Sequence, residues 1–327
     1  MIKVLGNNIV SAFTGGNPVK AIYAYGEKVW PISGPEPTEY YIKWTPSRAA
    51  GTMWIKSTST ANPVSYRISS YRGMLKFGNI YPQYLSFESC TWSNIKTNIP
   101  MFNESHTFAI CSTLQNADLY NCTSLFSYTF YHCNSLSQVS LPICEYIGYA
   151  IFSTCDSLSQ VSLPMCSYIG TTAFIYCYSL PYISLPVCTY IGDDAFFACS
   201  SLSQISLPVC SYIGIGAFGN CSSLSQVNLP MCSYIDTNAF AFCNKLIKVS
   251  LPVCSFIGSM TFRDCTSLSI ITIGYSSVCS LGNLAFYNTK ITSSTGSIYV
   301  PASLVDAYKS APYWSYFSAI IQSYPGL

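Results

Sequence analysis

Charge is what this chain has least of. Only 9% of its 327 residues are Asp, Glu, Lys or Arg, where a globular protein ordinarily carries about 25%. Fifteen basic and thirteen acidic side chains leave a formal net charge of +2, with no run of Lys or Arg. A phosphate backbone or an anionic membrane surface finds no electrostatic footprint, so nucleic acid is not an expected partner. Histidine is nearly absent: His106 and His132 are the whole supply. No C-x-x-C pair, HExxH motif, nucleophile motif or glycine-rich phosphate loop occurs, which speaks against a metal, a cofactor and an enzyme. A membrane span is not expected either, because Ser, Gly, Pro and Asn interrupt even the uncharged stretch 195–235 and no ~18-residue apolar run remains. The opening residues Met1 to Asn8 lack a basic segment followed by an apolar core, so export by the general secretory route is not expected.

What the chain does have is apolar mass and a rhythm. Half of it is hydrophobic and 15% aromatic, ample to offset chain entropy if some architecture buries it. Fifteen of the seventeen cysteines fall every eleven residues from Cys111 to Cys265 without one insertion. Disulfide frameworks do not keep such time, whereas stacked repeats do. The contexts alternate, so the true period is 22. One cysteine opens C-x-S-L-S-Q-V-S-L-P, as from Cys155 to Pro164, and the next opens C-S-Y-I-G-x-x-A-F, as from Cys166 to Phe174. Seven repeats run from 111 to 264, an eighth from 265 to 288 is two residues longer, and Cys90 to Ile110 is a degenerate first copy with Ile95, Ile99 and Phe108 near the apolar positions.

In the first half-repeat, Leu158, Val161 and Leu163 have the spacing of a short strand that turns alternate side chains inward, and Pro164 ends it. Equivalent strands of neighbouring coils then pair in parallel, ~4.8 Å apart. In the second half Ile169 and Phe174 point inward, Gly170 permits the turn, and residues 171–174 suit a single helical or 3-10 turn. One coil cannot hide its apolar face alone, and eight or nine stacked coils make a rod of roughly 40 Å with a continuous interior. Stacked cysteines approach one another, yet a flat ladder holds their Cβ atoms too far apart for relaxed bonding. Buried free thiols that fill tight corners are the expectation.

These residues resemble the BspA-like leucine-rich repeats, a family found on bacterial surface proteins, in some protozoa and in gut phage and prophage genes. The pattern reads Cys199-Ser-Ser-Leu-Ser-Gln-Ile-Ser-Leu-Pro208, then Ile213-Gly-Ile-Gly-Ala-Phe-Gly-Asn-Cys221. Local departures are Asp236 in place of the glycine and Thr261 and Ile151 in place of the alanine. The resemblance implies a mainly β protein: a right-handed leucine-rich-repeat solenoid of 22-residue coils, each a parallel strand plus a short 3-10 or helical turn. Small β modules precede it and a helical cap closes it. Ser297 to Lys309 resembles the closing segment of many such arrays, a last strand to Pro301 and then a helix from Ala302, with Tyr308, Tyr313, Trp314 and Phe317 as the lid of the final coil.

The expected organisation is therefore a β attachment module at 1–32, a linker and small β-rich unit at 33–88, the solenoid at 89–288 and the cap at 289–327. Residues 1–32 alternate short strands with turns. They resemble the leader of many structural or tail-associated proteins of gut phages, down to the step Val29-Trp30-Pro31.

Catalysis finds little support. Asp193 and Asp194 read as surface caps of a turn, and Cys133 next to His132 belongs to the inward column. What remains is surface. Outward strand positions stack as Gln160, Tyr182, Gln204, Gln226 and Lys248, a flat polar face on which Tyr182 and Lys248 stand out. A second column, Tyr146, Tyr168, Tyr190, Tyr212, Tyr234 and Phe256, is either a contact surface or an aromatic ladder that steadies successive coils, with the ladder favoured. Tyr176, Phe197 and Phe242, just before the next cysteines, are further contact candidates.

The expected function is non-catalytic binding of a host or bacterial surface protein or glycan. The first reading is a phage virion-associated protein, assembled in the bacterial cytoplasm and held to other virion proteins by its N-terminal module. The alternative is a bacterial cell-surface adhesin, for which the chain's end offers no LPxTG-like sorting signal. A homo-oligomer is compatible with either.

Overall fold

The computed structural model describes residues 87, 90, 92–97, 99, 105–274, 276–293 and 295–324 with their side chains, and the backbone of the other strands named here. The 22-residue register is realised as two parallel ladders, one on each side of every coil. The first is built from three-residue strands such as Gln138–Ser140 and Gln160–Ser162, paired Gln138 to Gln160, Val139 to Val161 and Ser140 to Ser162. The second is built from two-residue strands, Tyr146–Ile147, Tyr168–Ile169 and their successors, and runs unbroken through nine strands from Met101–Phe102 to Ser280–Leu281. These short second strands were not legible as strands in the sequence. Two residues hold no periodicity, and only the neighbouring coil makes them a ladder.

Between the ladders the chain turns without becoming helical. Ala173 N–H donates to Gly170 O and Ile175 N–H to Thr172 O within the coil, while Phe174 N–H reaches Ala195 O of the next coil. The expected 3-10 or helical turn is thus a succession of tight turns whose alternate N–H groups leave the coil. Positive backbone φ at two sites per coil prevents a helical run: Thr172 (54°) and Tyr176 (62°) in one, Asp194 (49°) and Ala198 (60°) in the next.

Between the ladders lies a core of stacked columns. Phe108, Phe130, Phe152, Phe174, Phe196, Phe218, Phe240, Phe262 and Phe286 are all fully buried, with successive centroids 5.0–5.7 Å apart. Leu158, Leu163, Cys155, Cys166 and Ile169 and their equivalents fill the remaining columns. The degenerate first copy follows the same plan, since Ile95, Ile99 and Phe108 are buried and Trp92–Thr97 pairs in parallel with Asn116–Asp118.

Gly170 proves necessary for a different reason from the one expected. Its φ is not positive; a Cβ there would sit 2.7 Å from the carbonyl of Gly148 in the preceding coil, and one at Gly192 would sit 2.7 Å from Thr171 N. Close approach of backbones, not turn geometry, demands the column.

The array is closed at both ends. Among the N-terminal strands, β1 (Ile2–Leu5), β2 (Asn8–Ser11), β3 (Ile22–Ala24) and β4 (Glu27–Trp30) form one sheet in the order β2-β1-β3-β4. The next strand, β5 (Tyr40–Pro46), runs antiparallel to Trp92–Thr97 and covers the open edge of the first ladder. The linker composition at 33–38 lies outside the described residues. At the other end Ser297–Val300 adds a ladder strand, helix α1 (Val305–Ser310) follows, and Ile321–Ser323 adds one strand more. Tyr308 and Trp314 are fully buried over the last coil, the Trp314 Nε1–H donating to Cys279 O at 2.6 Å and the Tyr308 hydroxyl accepting from Cys279 N–H at 2.9 Å. Phe317 meets Phe286 edge to face at 5.5 Å. Tyr313 does not join this lid. It is 41% exposed, because its positive φ of 63° reverses the chain there and turns the ring outward.

Gly192→Ala is expected to destabilise the chain by roughly 1–3 kcal/mol, the cost of overpacking against unyielding backbone. Ala198→Gly, which relieves a left-handed alanine, is expected to stabilise it by about 0.5–1 kcal/mol. Urea unfolding of both variants beside the wild type checks the opposite signs.

Candidate binding surface

The two cysteine columns are structural. In one, Cys155, Cys177, Cys199 and Cys221 are each fully buried, with Sγ donating to the carbonyl of a phenylalanine in the preceding coil at 3.1–3.3 Å. In the other, Cys166, Cys188, Cys210 and Cys232 donate to the carbonyl two residues on, at 3.2–3.3 Å. All seventeen cysteines are free and buried. Burial pushes the thiol up to about 11 at Cys188 and about 12 at Cys199 and Cys210, which removes the thiolate that cysteine chemistry requires there, whereas hydrogen bonds from the neighbouring Cys122 and Cys279 lower Cys144 and Cys254. Cys133 donates to Phe108 O rather than facing His132, whose ring lies against Tyr131 at 4.1 Å. Among the described residues no group of three or more His, Cys, Asp or Glu side chains is placed to hold a metal ion. Asp193 accepts from Ile215 N–H at 2.9 Å and so caps a turn of the next coil.

The aromatic column is a ladder. Tyr146, Tyr168, Tyr190, Tyr212, Tyr234 and Phe256 stack face to face at centroid distances of 4.4–5.3 Å, so their faces are occupied by one another. Tyr176 and Phe197 are half-buried in a local cluster, edge to face at 6.1 Å. Phe242 is 37% exposed and lies beneath the Arg263 guanidinium at 5.2 Å. These three sit on the turn side of the coils, two of them together and Phe242 two coils away, apart from the strand face.

On the strand face, a row of exposed polar side chains is not consumed by the fold. Gln138, Gln160, Gln204 and Gln226 are exposed and their amides make no side-chain hydrogen bond. Tyr182 lies in register with Gln204 and is 48% exposed, its ring stacked on no other. Lys248 lies in register with Gln226, two coils further along. Gln160 and Tyr182 line a depression of about 720 Å³ with Asn94, Asn116, Asp118, Gln138, Ser162 and Pro181. Gln204, Gln226 and Lys248 continue the column outside it. Asn94, Asn116 and Asp118 were missed in the sequence, although Asn94, Asn116, Gln138, Gln160 and Tyr182 keep the 22-residue interval throughout. A second surface was also missed. Ile143, Met165, Val187, Val209 and Met231 follow the strand-ending prolines and form an exposed apolar stripe along the coils.

The sequence model of the family described as BspA type Leucine rich repeat region (6 copies) matches residues 80–202 and 189–311. The chain belongs to this family. Among solved structures, the BspA type chain is similar to a leucine-rich repeat protein from Bacteroides ovatus, at 25% identity over 62% of this chain and 59% of that one, with a TM-score of 0.48. It is similar to a leucine-rich repeat protein from T. pallidum at 25% identity, over 58% and 78% of the two chains and with a TM-score of 0.35. It is similar as well to a leucine rich cell surface protein from Faecalibacterium prausnitzii, at 20% identity over 70% and 77%, with a TM-score of 0.32. The match thus spans less than two thirds of the Bacteroides protein. No curated protein matches.

Because burial holds Cys188, Cys199 and Cys210 protonated above the ordinary thiol value of 9.0, alkali ionises the unfolded chain first. Their contribution to stability is fully present below an unfolded thiol pKa of about 8.5 and is lost as pH rises toward the folded values, at ~1.4 kcal/mol per pH unit for each thiol. The urea midpoint is therefore expected to be level from pH 7 to 8 and to fall steeply by pH 10. A level midpoint across that range would show the thiols to be solvated.

Proposed function

We propose that this chain is a non-catalytic binding protein of the bacterial cell surface, whose solenoid presents its strand face to a protein or glycan of a host or another bacterium. The observation that carries this reading is the contrast between the faces. Aromatic, glycine, alanine and cysteine columns are spent on stacking coils, whereas the amides of Gln138, Gln160, Gln204 and Gln226 and the ring of Tyr182 contribute nothing to the stack. Exposed side chains with no internal partner, held on a rigid parallel ladder, are what a binding surface needs. Membership of the BspA type family favours the cell surface over the virion. The virion reading drew on the leader-like residues 1–32, whose side chains lie outside the described residues, and on interactions with other virion proteins through them. Among the described residues no helix is long and apolar enough to cross a membrane.

Fractionation of the producing cells, with an antibody against residues 105–324, tests the location. The chain is expected in the envelope fraction and accessible to protease added to intact cells. Recovery only in purified phage particles would replace this reading with the virion one, and recovery only in the cytosol would end both.

A further inference from the structure

The depression on the strand face has a definite chemistry and a definite end. Its floor is a run of planar amides at one-coil intervals, Asn94, Asn116, Gln138 and Gln160, closed by the ring of Tyr182. The first two are pre-set, Asn116 Nδ2 donating to Asn94 Oδ1 at 2.6 Å and Asn94 Nδ2 to Ser93 Oγ at 3.0 Å. The two glutamines are unengaged and keep both donor and acceptor. Asp118 is the one charged residue of the lining, and Lys96 neutralises it at 2.6 Å.

Tyr182 stands at one of two breaks in the first ladder, the other lying between Gln204–Ser206 and Gln226–Asn228. Ser159 N–H donates to Ser137 O and Ser203 N–H to Pro181 O, each at 3.0 Å, but the intervening coil has proline at this position and no N–H to give to Ser159. No ladder pairing joins Gln160–Ser162 to Tyr182–Ser184. Val161 is partly exposed there, as Ile205 is at the other break, whereas Val139 and Ile183 are buried, and Ser162 is exposed. At the seam the depression therefore offers an unstacked aromatic ring, an apolar Val161 surface, backbone groups without ladder partners and free amides within two coils.

We propose that this depression binds a short, unbranched, neutral oligosaccharide, an inference that deepens the binding function proposed above and rests on it. A pyranose ring has an apolar C–H face and a rim of hydroxyls that both donate and accept. Tyr182 supplies a flat face for the first, and Gln160 and Gln138 supply paired donors and acceptors for the second. Asn94 to Tyr182 spans four coil intervals, about 19 Å, which suits an extended chain lying along the amide row. A nucleic acid or an acidic glycan needs cations, and the lining offers none, its single carboxylate already being paired. A peptide adding as a strand needs a free sheet edge, whereas the amide row runs across strands that are already paired on both sides from Trp92–Thr97 to Gln138–Ser140.

The full chain, labelled and applied to a printed array of neutral, sialylated and sulfated glycans, is expected to retain neutral linear glycans, with affinity then measured by calorimetry on the strongest hit. Tyr182→Ala is expected to weaken that binding by about tenfold and Gln160→Ala by severalfold, while Tyr182→Phe keeps it, the face of the ring being what counts. Neither side chain packs in the core, so the melting temperatures stay at the wild-type value. Lys309→Ala on the cap helix leaves binding unchanged. Retention of no neutral glycan, retention only of acidic glycans, or affinity unmoved by Tyr182→Ala overturns the proposal. Adhesion to target cells, assayed beside the array, separates the two readings. Adhesion that survives both periodate treatment of the cells and Tyr182→Ala leaves the binding protein standing and removes the glycan. Array binding without adhesion keeps the glycan and removes the adhesive role at the cell surface.

Discussion

Each coil is tied to the next by backbone hydrogen bonds at a fixed offset, and the rest of the molecule is arranged around that tie. Phe152 N–H donates to Ala173 O, Phe174 to Ala195, Phe196 to Ala217 and Phe218 to Ala239, each at 2.7 Å. The bonds hold adjacent backbones at ladder spacing on the turn side as well as on the strand sides. That spacing suits offset aromatic stacking, so a phenylalanine or tyrosine recurring at the period stacks without adjustment. It is also too close for a side chain at the positions of Gly148, Gly170, Gly192 and Gly214, where a Cβ would collide with the neighbouring coil. Ala173, Ala195, Ala217 and Ala239 are fully buried for a related reason, each lending its carbonyl to the coil before it.

The same constraint explains why cysteine recurs where a disulfide protein would have bridged. The Sγ of Cys199 takes the second lone pair of Phe174 O, which Cys177 N–H already occupies from the other side. A thiol is small enough for the corner and polar enough to reach that oxygen. Alanine would leave the oxygen half-satisfied, and serine would bring a more strongly hydrated hydroxyl into an apolar column. Burial then raises the pKa of Cys199, so the thiol that completes the hydrogen bonding there is also chemically quiet.

Much of this was legible in the sequence because the period is a one-dimensional signal. The 22-residue coil, the inward Leu158, Val161, Leu163, Ile169 and Phe174 columns, the free buried thiols and the tyrosine ladder follow from counting. What the sequence hid are properties of two coils together. The Tyr-Ile pairs are strands only because a copy lies on either side of them. The reason for the glycine column is visible only when the preceding backbone is in place. Ala198 and Tyr176 carry positive φ without being glycine because the inter-coil bonds over-determine their conformation. On the binding face, Gln160 and Tyr182 were legible as outward positions, but Asn94 belongs to the degenerate first copy, and Asn116 and Asp118 to a repeat without the Ser-Gln segment on its strand. They join the depression through the register alone.

An array held this way restricts where it can vary without cost. Substituting a column residue disturbs two neighbours, whereas an unengaged outward strand residue such as Gln160 or Gln204 disturbs none, and this makes the strand face the natural place for specificity. Three coils carry the same Ser-Gln-x-Ser segment at these positions, at 137–140, 159–162 and 203–206. The coil at 177–198 breaks the pattern with Pro181-Tyr182, and it loses the ladder contact to the preceding coil in doing so. A proline that removes a donor from the interior of a parallel ladder is unfavourable for the fold taken alone. Its position beside an unstacked tyrosine and two unengaged glutamines gives that departure a physical rationale. The local loss of sheet pairing opens the face at the point where the exposed, unstacked ring of Tyr182 stands.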